Sequence, residues 1–480
     1  MELNKGPLLG NRINLTIILG MFLWSFSAGI VNISLPTIAQ YLDISTSAVA
    51  WVIIGHLLVL VCLLLFFGRL ADYVGHKTIF IWGVLVFTLS SYMCGISLDF
   101  NNLLIFRLVQ GIGSAMLLSV APAIISMSST SSTRGQAFGY ISLATTLGLS
   151  TGYLAGGLVT EYLGWNWIFF LNVPLGILVL IMAQLYLGKL PCKSYKHQFD
   201  IIGAILSFAL FLSLILSLEA LGIDSIPLLY SLLGFIATLI IGVIFVFWEL
   251  RHPDPLIDLQ LFLNPYLSLA VLTGFLTSLV LTGTIFLVPF YLELVKSYST
   301  DLSGLIVFTS TLLVLVVGPL AGWLSDKWGA KKVNIAGSIF LVSSLVFMAI
   351  MDETVGLIFI FIALAIRALS DGISNPANSK IVISHSPPGK LSSVSSLLNT
   401  ARYLGLVMGV VIFETLFTST ITGYALTIEA SAQGALEMTL PAAALVQGFQ
   451  SAFYLGIGIS VLIIVFSLLG NEKQETDEYD

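Results

Sequence analysis

Charge is what this sequence has least of. Of its 480 residues, 19 are Lys or Arg and 25 are Asp or Glu, together 9%, while 57% are hydrophobic. Soluble domains carry about a quarter charged residues, and an aqueous fold has no way to hide this much apolar surface. The chain is therefore expected to be an all-α polytopic membrane protein, because a lipid-exposed backbone must satisfy its own hydrogen bonds. Cysteine is also scarce. Cys62, Cys94 and Cys192 give no disulfide framework and no CxxC pair, so no metal site is expected. The first two sit inside apolar runs, where cysteine serves as a small packing residue. There is no G-x-x-x-x-G-K-[ST] phosphate loop, no HExxH and no nucleophile elbow, so neither ATP-driven transport nor an enzyme activity is expected, and no cofactor. No basic patch points to nucleic acid. The net charge of −6 comes mostly from 471–480, where Glu472, Glu475, Asp477, Glu478 and Asp480 outweigh Lys473; this stretch is expected to be a disordered acidic tail.

What is present is a series of apolar runs. A spanning helix needs about 20 mostly apolar residues. Fourteen runs qualify, near 14–36, 50–68, 78–97, 102–125, 135–157, 166–188, 201–221, 227–249, 266–292, 302–324, 333–351, 355–378, 391–418 and 447–470. The first follows Lys5 and Arg12 but is too long for a signal-peptide core and lacks a small-x-small cleavage site, so it is read as a helix. With the N-terminus inside, 15 of the 19 cations fall in cytoplasmic segments and only Lys296 falls outside; Arg107, Arg367 and Arg402 lie within runs. That asymmetry follows the positive-inside rule. It predicts a multi-pass cell-membrane protein with both termini cytoplasmic.

The runs repeat. Gly68-Arg69-Leu70-Ala71-Asp72-Tyr73-Val74-Gly75-His76-Lys77 separates the second and third runs, and its frame returns 254 residues later as Gly322-Trp323-Leu324-Ser325-Asp326-Lys327-Trp328-Gly329-Ala330-Lys331. Arg107 and Arg367 occupy the fourth helix of each repeat, and Gly148…Gly152…Gly156 and Gly405…Gly409 the fifth. The expected organisation is a six-helix bundle at 14–188, an inserted two-helix hairpin with its linkers at 189–265, and a second six-helix bundle at 266–470. Two such repeats with a site near the midplane is a layout of secondary transporters.

These residues resemble the major facilitator superfamily over nearly the whole chain. Gly68–Lys77 resembles its loop signature G-x-L-a-D-r-x-G-r-k, and Leu103…Arg107…Gln110-Gly111…Gly113 its fourth-helix signature. Gly148…Gly152-Tyr153…Gly156-Gly157 is similar to the antiporter signature, with Tyr153 where Pro is usual. Trp165-Asn166-Trp167-Ile168-Phe169-Phe170-Leu171-Asn172-Val173-Pro174, Ile30-Val31-Asn32-Ile33-Ser34-Leu35-Pro36 and Asp200-Ile201-Ile202-Gly203 are similar to the fourteen-helix drug:proton antiporter branch. Ser27 stands where that branch commonly has an Asp implicated in proton coupling, and Tyr73, His76 and Asn166 replace arginines of its motifs.

The resemblance implies the major facilitator fold and alternating access, with efflux of drug-like or amphipathic compounds in exchange for protons. Transport of a defined small solute or ion is the alternative, and a transporter-like receptor a third. It implies a conformational latch at Gly68, Asp72, Gly75, Lys77 and Asp326, and a relay or gate role for Arg107. A buried charge costs about 2.5–3.5 kcal/mol on the insertion scale, so the others require a reason. Arg367 and Asp371 are four apart, share a helix face and can neutralise each other; Asp371 is also a candidate proton carrier. Arg402 and Glu414 complete the coupling or gate candidates, while Glu219 and Glu293 are expected at the interface. Gly148, Gly152, Gly156 and Gly157 allow close helix contact, expected at the seam between the two bundles. The expected partners are a small-molecule substrate, protons and the lipid bilayer, for a protein acting as a monomer.

Overall fold

The computed structural model describes residues 12–129, 131–188, 200–222, 227–253, 255–387, 390–431 and 442–471. The expected acidic tail from 472, most of the linker before 200 and the turn at 223–226 lie outside the described residues.

Every regular element among the described residues is helical, and the long helices answer to the fourteen apolar runs. They are α1 (Arg12–Leu42), α2 (Thr46–Val74), α3 (His76–Gly95), α4 (Phe100–Ser128), α5 (Ser131–Leu163), α6 (Trp167–Tyr186), α7 (Ile201–Glu219), α8 (Leu228–Glu249), α9 (Pro265–Phe290), α10 (Thr300–Trp328), α11 (Ala330–Ala349), α12 (Leu357–Ser384), α13 (Leu391–Ser431) and α14 (Ala442–Leu469). Leu171 interrupts α6, Leu312 interrupts α10, and a π-helical turn (Tyr291–Val295) extends α9. Thirteen of the fourteen are long and apolar enough to cross a membrane. The other is α5, 33 residues long and diluted with Gly, Ser and Thr.

The chain forms two compact units. Residues 1–212, 238–256 and 299–308 make the first, and 213–237, 257–298 and 309–480 the second. These limits cut across the expected ones at two places. The first turns of α10 group with the first unit, and the hairpin of α7 and α8 is divided, its base in the first unit and its tip in the second.

Each unit is held by the same device, helices brought together over small residues. In the first unit a Cβ on Gly148 would lie 2.6 Å from Phe22 O, and one on Gly152 would lie 2.5 Å from Phe26 O, so α5 touches the backbone of α1. In the second, Cβ atoms on Gly405 and Gly409 would lie 2.4 Å from Phe275 O and 2.2 Å from Leu279 O, so α13 touches α9 in the same way. Dispersion contacts at such range replace the hydrophobic drive that lipid cannot supply. Gly148, Gly152 and Gly156 therefore face α1 inside one unit rather than the expected seam between units. The spacing announces a close neighbour; the neighbour is the helix that opens the same bundle.

Candidate functional site

Helices of nearly pure hydrocarbon make each polar group conspicuous, and each needs a partner. In the first unit the partners of the buried arginine are neutral. Arg107, 3% exposed, donates from Nε to Val52 O of α2 at 2.7 Å and from Nη1 to Gln110 Oε1 one turn on. A backbone carbonyl and an amide oxygen thus solvate the guanidinium without cancelling its charge. Next to it, His56 Nε2 and Ser114 Oγ are 3.2 Å apart. Asn172, from the W-N-W-I-F-F-L-N run, donates to Ser27 Oγ and Ser91 Oγ, both at 3.3 Å, tying α6 to α1 and α3. Ser27 is thereby a buried hydrogen-bond acceptor where the resemblance leads one to look for an acid.

The second unit keeps its acid. Asp371 on α12 is half-buried and accepts a hydrogen bond from Asn375 Nδ2, one turn along. Arg367 and Arg402 are the cations that face it. Arg367 also donates from Nη2 to Leu281 O of α9 at 2.7 Å, and Arg402 donates from Nη2 to Asn375 O at 3.2 Å and Ser379 Oγ at 3.0 Å. The expected two-residue pair is thus a larger constellation: one carboxylate, two guanidiniums and the polar edge of α12 at Asp371, Asn375 and Ser379. Sequence reasoning missed Asn375 and Ser379. Their four-residue spacing from Asp371 was the available signal, since it stacks all three on one helix face.

Glu414 on α13 is buried and accepts from Thr418 Oγ1 at 2.8 Å. Glu219, expected at the interface, is instead 5% exposed. A small crevice lined by Tyr266, Lys331, Asn334, Asn378 and Ser467 lies elsewhere in the second unit, and none of the coupling candidates lines it.

The two charged hinges are built alike. Gly75, with φ 102°, ends α2 and starts α3; Gly329, with φ 90°, joins α10 to α11. A single residue at positive φ reverses the chain, which favours glycine. Asp72 lies 3.7 Å from His76 Nε2, and Arg69 donates to Pro255 O. Asp326 binds Lys380 Nζ at 2.7 Å. The acid of each hinge is thus held by a cation-capable side chain, from its own loop in the first unit and from α12 in the second. Gly68 is looser, its nearest neighbour being Ser119 Cβ at 3.8 Å from a Cβ position, and Lys77 is half-buried. Gly157 faces the first turns of α10, where a Cβ would lie 2.6 Å from Thr300 O.

Gly148-Leu149-Ser150-Thr151-Gly152 spells G-x-S-x-G, but Ser150 lies inside continuous helix, not on the strand-to-helix turn that exposes a nucleophile. Among the described residues no group of His, Cys, Asp and Glu is arranged to hold a metal ion.

Known proteins share this architecture. The Major Facilitator Superfamily profile matches residues 17–410. The riboflavin transporter RibZ of Clostridioides difficile (strain 630) is 31% identical over 406 residues, covering 85% of this chain and 88% of that protein. The methylenomycin A resistance protein of Bacillus subtilis (strain 168) is 26% identical over 428 residues, 87% of this chain and 89% of its own. The multidrug transporter protein MdtP of the same organism is 26% identical over 396 residues, 82% and 73% of the two chains. Among solved structures, a bacterial homolog of the human lysosomal transporter Spinster superposes with a TM-score of 0.71 at 16% identity, covering 97% of both chains. With its repeated hinges, its two helical units and a family match over most of its length, the chain belongs to the Major Facilitator Superfamily.

Proposed function

We propose that this transporter exports amphipathic, drug-like compounds in exchange for protons, by alternating access of two six-helix bundles (14–188 and 266–470) around a midplane site. One observation carries the reading: Asp371 is a half-buried carboxylate on a helix long and apolar enough to cross a membrane, hydrogen-bonded by Asn375 and faced by Arg367 and Arg402. An acid placed there can trade a proton for the charge balance of its arginines, which couples protonation to ligand and conformation. The similarity to a methylenomycin A resistance protein and a multidrug transporter supports the substrate class. The cation asymmetry of the loops supports cytoplasmic termini, and the paired hinges at Gly68–Lys77 and Asp326 support a latch that biases which side is open. Substrate-induced proton release from acidified inside-out vesicles tests the proposal. Release that saturates with substrate is expected; no release with any amphipathic cation or planar dye would count against it.

A second reading is uptake or release of one defined solute, and the similarity to a riboflavin transporter together with the neutral Ser27 favours it. Counterflow of labelled riboflavin in proteoliposomes separates the two. Selective riboflavin exchange without proton movement would replace the first reading by the second. Saturable binding with no counterflow would mark a receptor.

A further inference from the structure

The crevice of the second unit opens where helix ends gather beside the hinge. Tyr266 near the start of α9, Lys331 at the start of α11, Ile381 in the last turns of α12 and Gly470 just past α14 all line it. On the reading above, this end is cytoplasmic. Two carboxamides in its wall are buried and short of hydrogen bonds. Asn334 is 2% exposed; its Nδ2 donates to Ser467 Oγ at 3.0 Å, and its Oδ1 has no partner among the described residues. Asn378 is 3% exposed, and neither its Oδ1 nor its Nδ2 has a partner there. Buried amide groups in that condition are costly and call for a reason.

Asn378 also borders the charged constellation. A Cβ on Gly274 of α9 would lie 2.6 Å from Asn378 Nδ2 and 3.8 Å from Arg402 Nε. Both nitrogens thus border one point, near enough for a single water molecule, with hydrogen bonds of about 3 Å, to touch both. Arg402 Nε likewise has no hydrogen-bond partner among the described residues. From Arg402 the bonds continue to the acid: Nη2 donates to Asn375 O at 3.2 Å, and Asn375 Nδ2 donates to Asp371 Oδ1. Asn378 follows Asp371 by two turns of α12, about 10 Å along its axis, so the two share a face. The charged groups on this route are Lys331 at the mouth and Arg402, Arg367 and Asp371 at the end; α9 and α14 contribute no Asp, Glu, Lys, Arg or His.

Whatever joins these groups must accept from Arg402 Nε and also donate to carboxamide oxygens. Water does both, in either orientation of the Asn378 carboxamide. The unpartnered atoms are shut off from solvent in this conformation, so the route is closed at Asn378, and turning its carboxamide into the crevice opens it.

We propose that the crevice is the mouth of a gated water path to Asp371 inside the second unit, with Asn378 as the gate and Asn334, Ser467 and Arg402 as hydrogen-bonding groups along it. Through this path Asp371 exchanges protons with the hinge side of the membrane, separately from the substrate route. Asn378 is a positioning residue, which holds water and releases no proton itself. The inference rests on the proton-exchange reading for what the path carries, though not for the entry of water.

The test uses the full-length protein in proteoliposomes and brief X-ray radiolysis in ¹⁸O-labelled water, which turns water touching a side chain into hydroxyl radicals that mark it; peptide mass spectrometry locates the label. Leu398 is the reporter, because it is buried, lies outside the crevice lining, and has its Cδ1 3.1 Å from the same Gly274 Cβ position. Label on Leu398 is expected in wild type, and none on Leu345, which is buried on α11. Asn378→Leu should lower the Leu398 label and substrate-induced proton release at least about tenfold each, while substrate affinity changes less than about twofold; Asn378→Ser, which keeps a hydrogen-bonding group, should restore both. Should Asn378→Leu lose monodisperse protein, Gly274→Ala closes the same point with a Cβ 2.6 Å from Asn378 Nδ2. No label on Leu398 in wild type, or label that survives both substitutions, would overturn the path. Label lost while proton release stays normal would overturn its role in carrying protons. Label lost as expected in a protein that releases no protons with any substrate would support the water path and remove proton exchange from the proposed function.

Discussion

The two units are copies in their scaffold and differ in their charges. Both join their second and third helices through one glycine at positive φ, Gly75 and Gly329, and both seat the fifth helix on the first by glycines that touch backbone oxygens. Inside, they part. The first unit surrounds its buried arginine with a carbonyl and an amide, and its helix-1 position is Ser27, bound by Asn172. The second places Asp371 on its fourth helix and Glu414 on its fifth, whereas the acids buried in the first, Asp200 and Glu249, lie together at the base of the hairpin. A repeat thus fixes where helices go, while substitutions within it set the partners of each buried charge.

The scaffold half of that comparison breaks most violently. Gly409→Val and Gly152→Val each place carbon inside a carbonyl that cannot retreat without separating two helices. Overpacking costs about 1–3 kcal/mol where side chains can yield, and more here. Both variants should lose monodisperse protein in size-exclusion chromatography, to similar extents. Gly139→Ala, which faces open space, should change stability by less than about 0.5 kcal/mol. Unequal losses at Gly152 and Gly409 would show that the two seams are not equivalent.

Charge comes next. Asp371→Asn should reduce proton-linked flux by at least about tenfold, because an amide cannot cycle a proton. Ser27→Ala should change it by no more than about twofold, since it removes one hydrogen bond. The reverse pattern would move coupling to the first unit.

The hinges should give intermediate effects. An acid at the N-terminus of a helix is worth about 0.3–2 kcal/mol, and Asp72 lies 3.7 Å from His76, the first residue of α3, so Asp72→Asn is expected to slow turnover severalfold while substrate binding holds. Asp326→Asn should do less, because its pair with Lys380 is solvent-exposed and such pairs are worth about 0–1 kcal/mol. Stopped-flow transport and equilibrium binding on the same preparations read both.

The smallest effect lies in the loop between α11 and α12. Asp352 accepts from Thr354 Oγ1 and Thr354 N, both at 2.7 Å, and Val355 N at 3.1 Å; these bonds and nearby Lys296 hold its carboxyl below the usual range. A depressed folded value stabilises the loop above the unfolded carboxylate range and loses that stabilisation as pH falls through the depressed value. The melting temperature of wild type should therefore drop slightly between about pH 4 and pH 3, and that small step should be absent in Asp352→Asn.

Much of the scaffold was legible because it is written in spacing. Gly68, Asp72 and Gly75 recur at Gly322, Asp326 and Gly329, and a run of about 20 apolar residues admits few structures. The site was less so. A small-residue ladder says that something comes close, and Gly148–Gly156 did not say it was α1. Asn375 and Ser379 are uncharged and did not stand out beside Asp371, though they hold its arginine. Glu219 ends an apolar run, where solvent is the default neighbour, yet it is buried, close to where Gly222 packs against Thr415.

The most direct measurement is substrate-induced proton release from acidified inside-out vesicles, made in parallel on wild type, Asp371→Asn and Ser27→Ala. Release that survives Ser27→Ala and vanishes in Asp371→Asn is the predicted result. Release that persists undiminished in Asp371→Asn would contradict the assignment of proton exchange to the second unit.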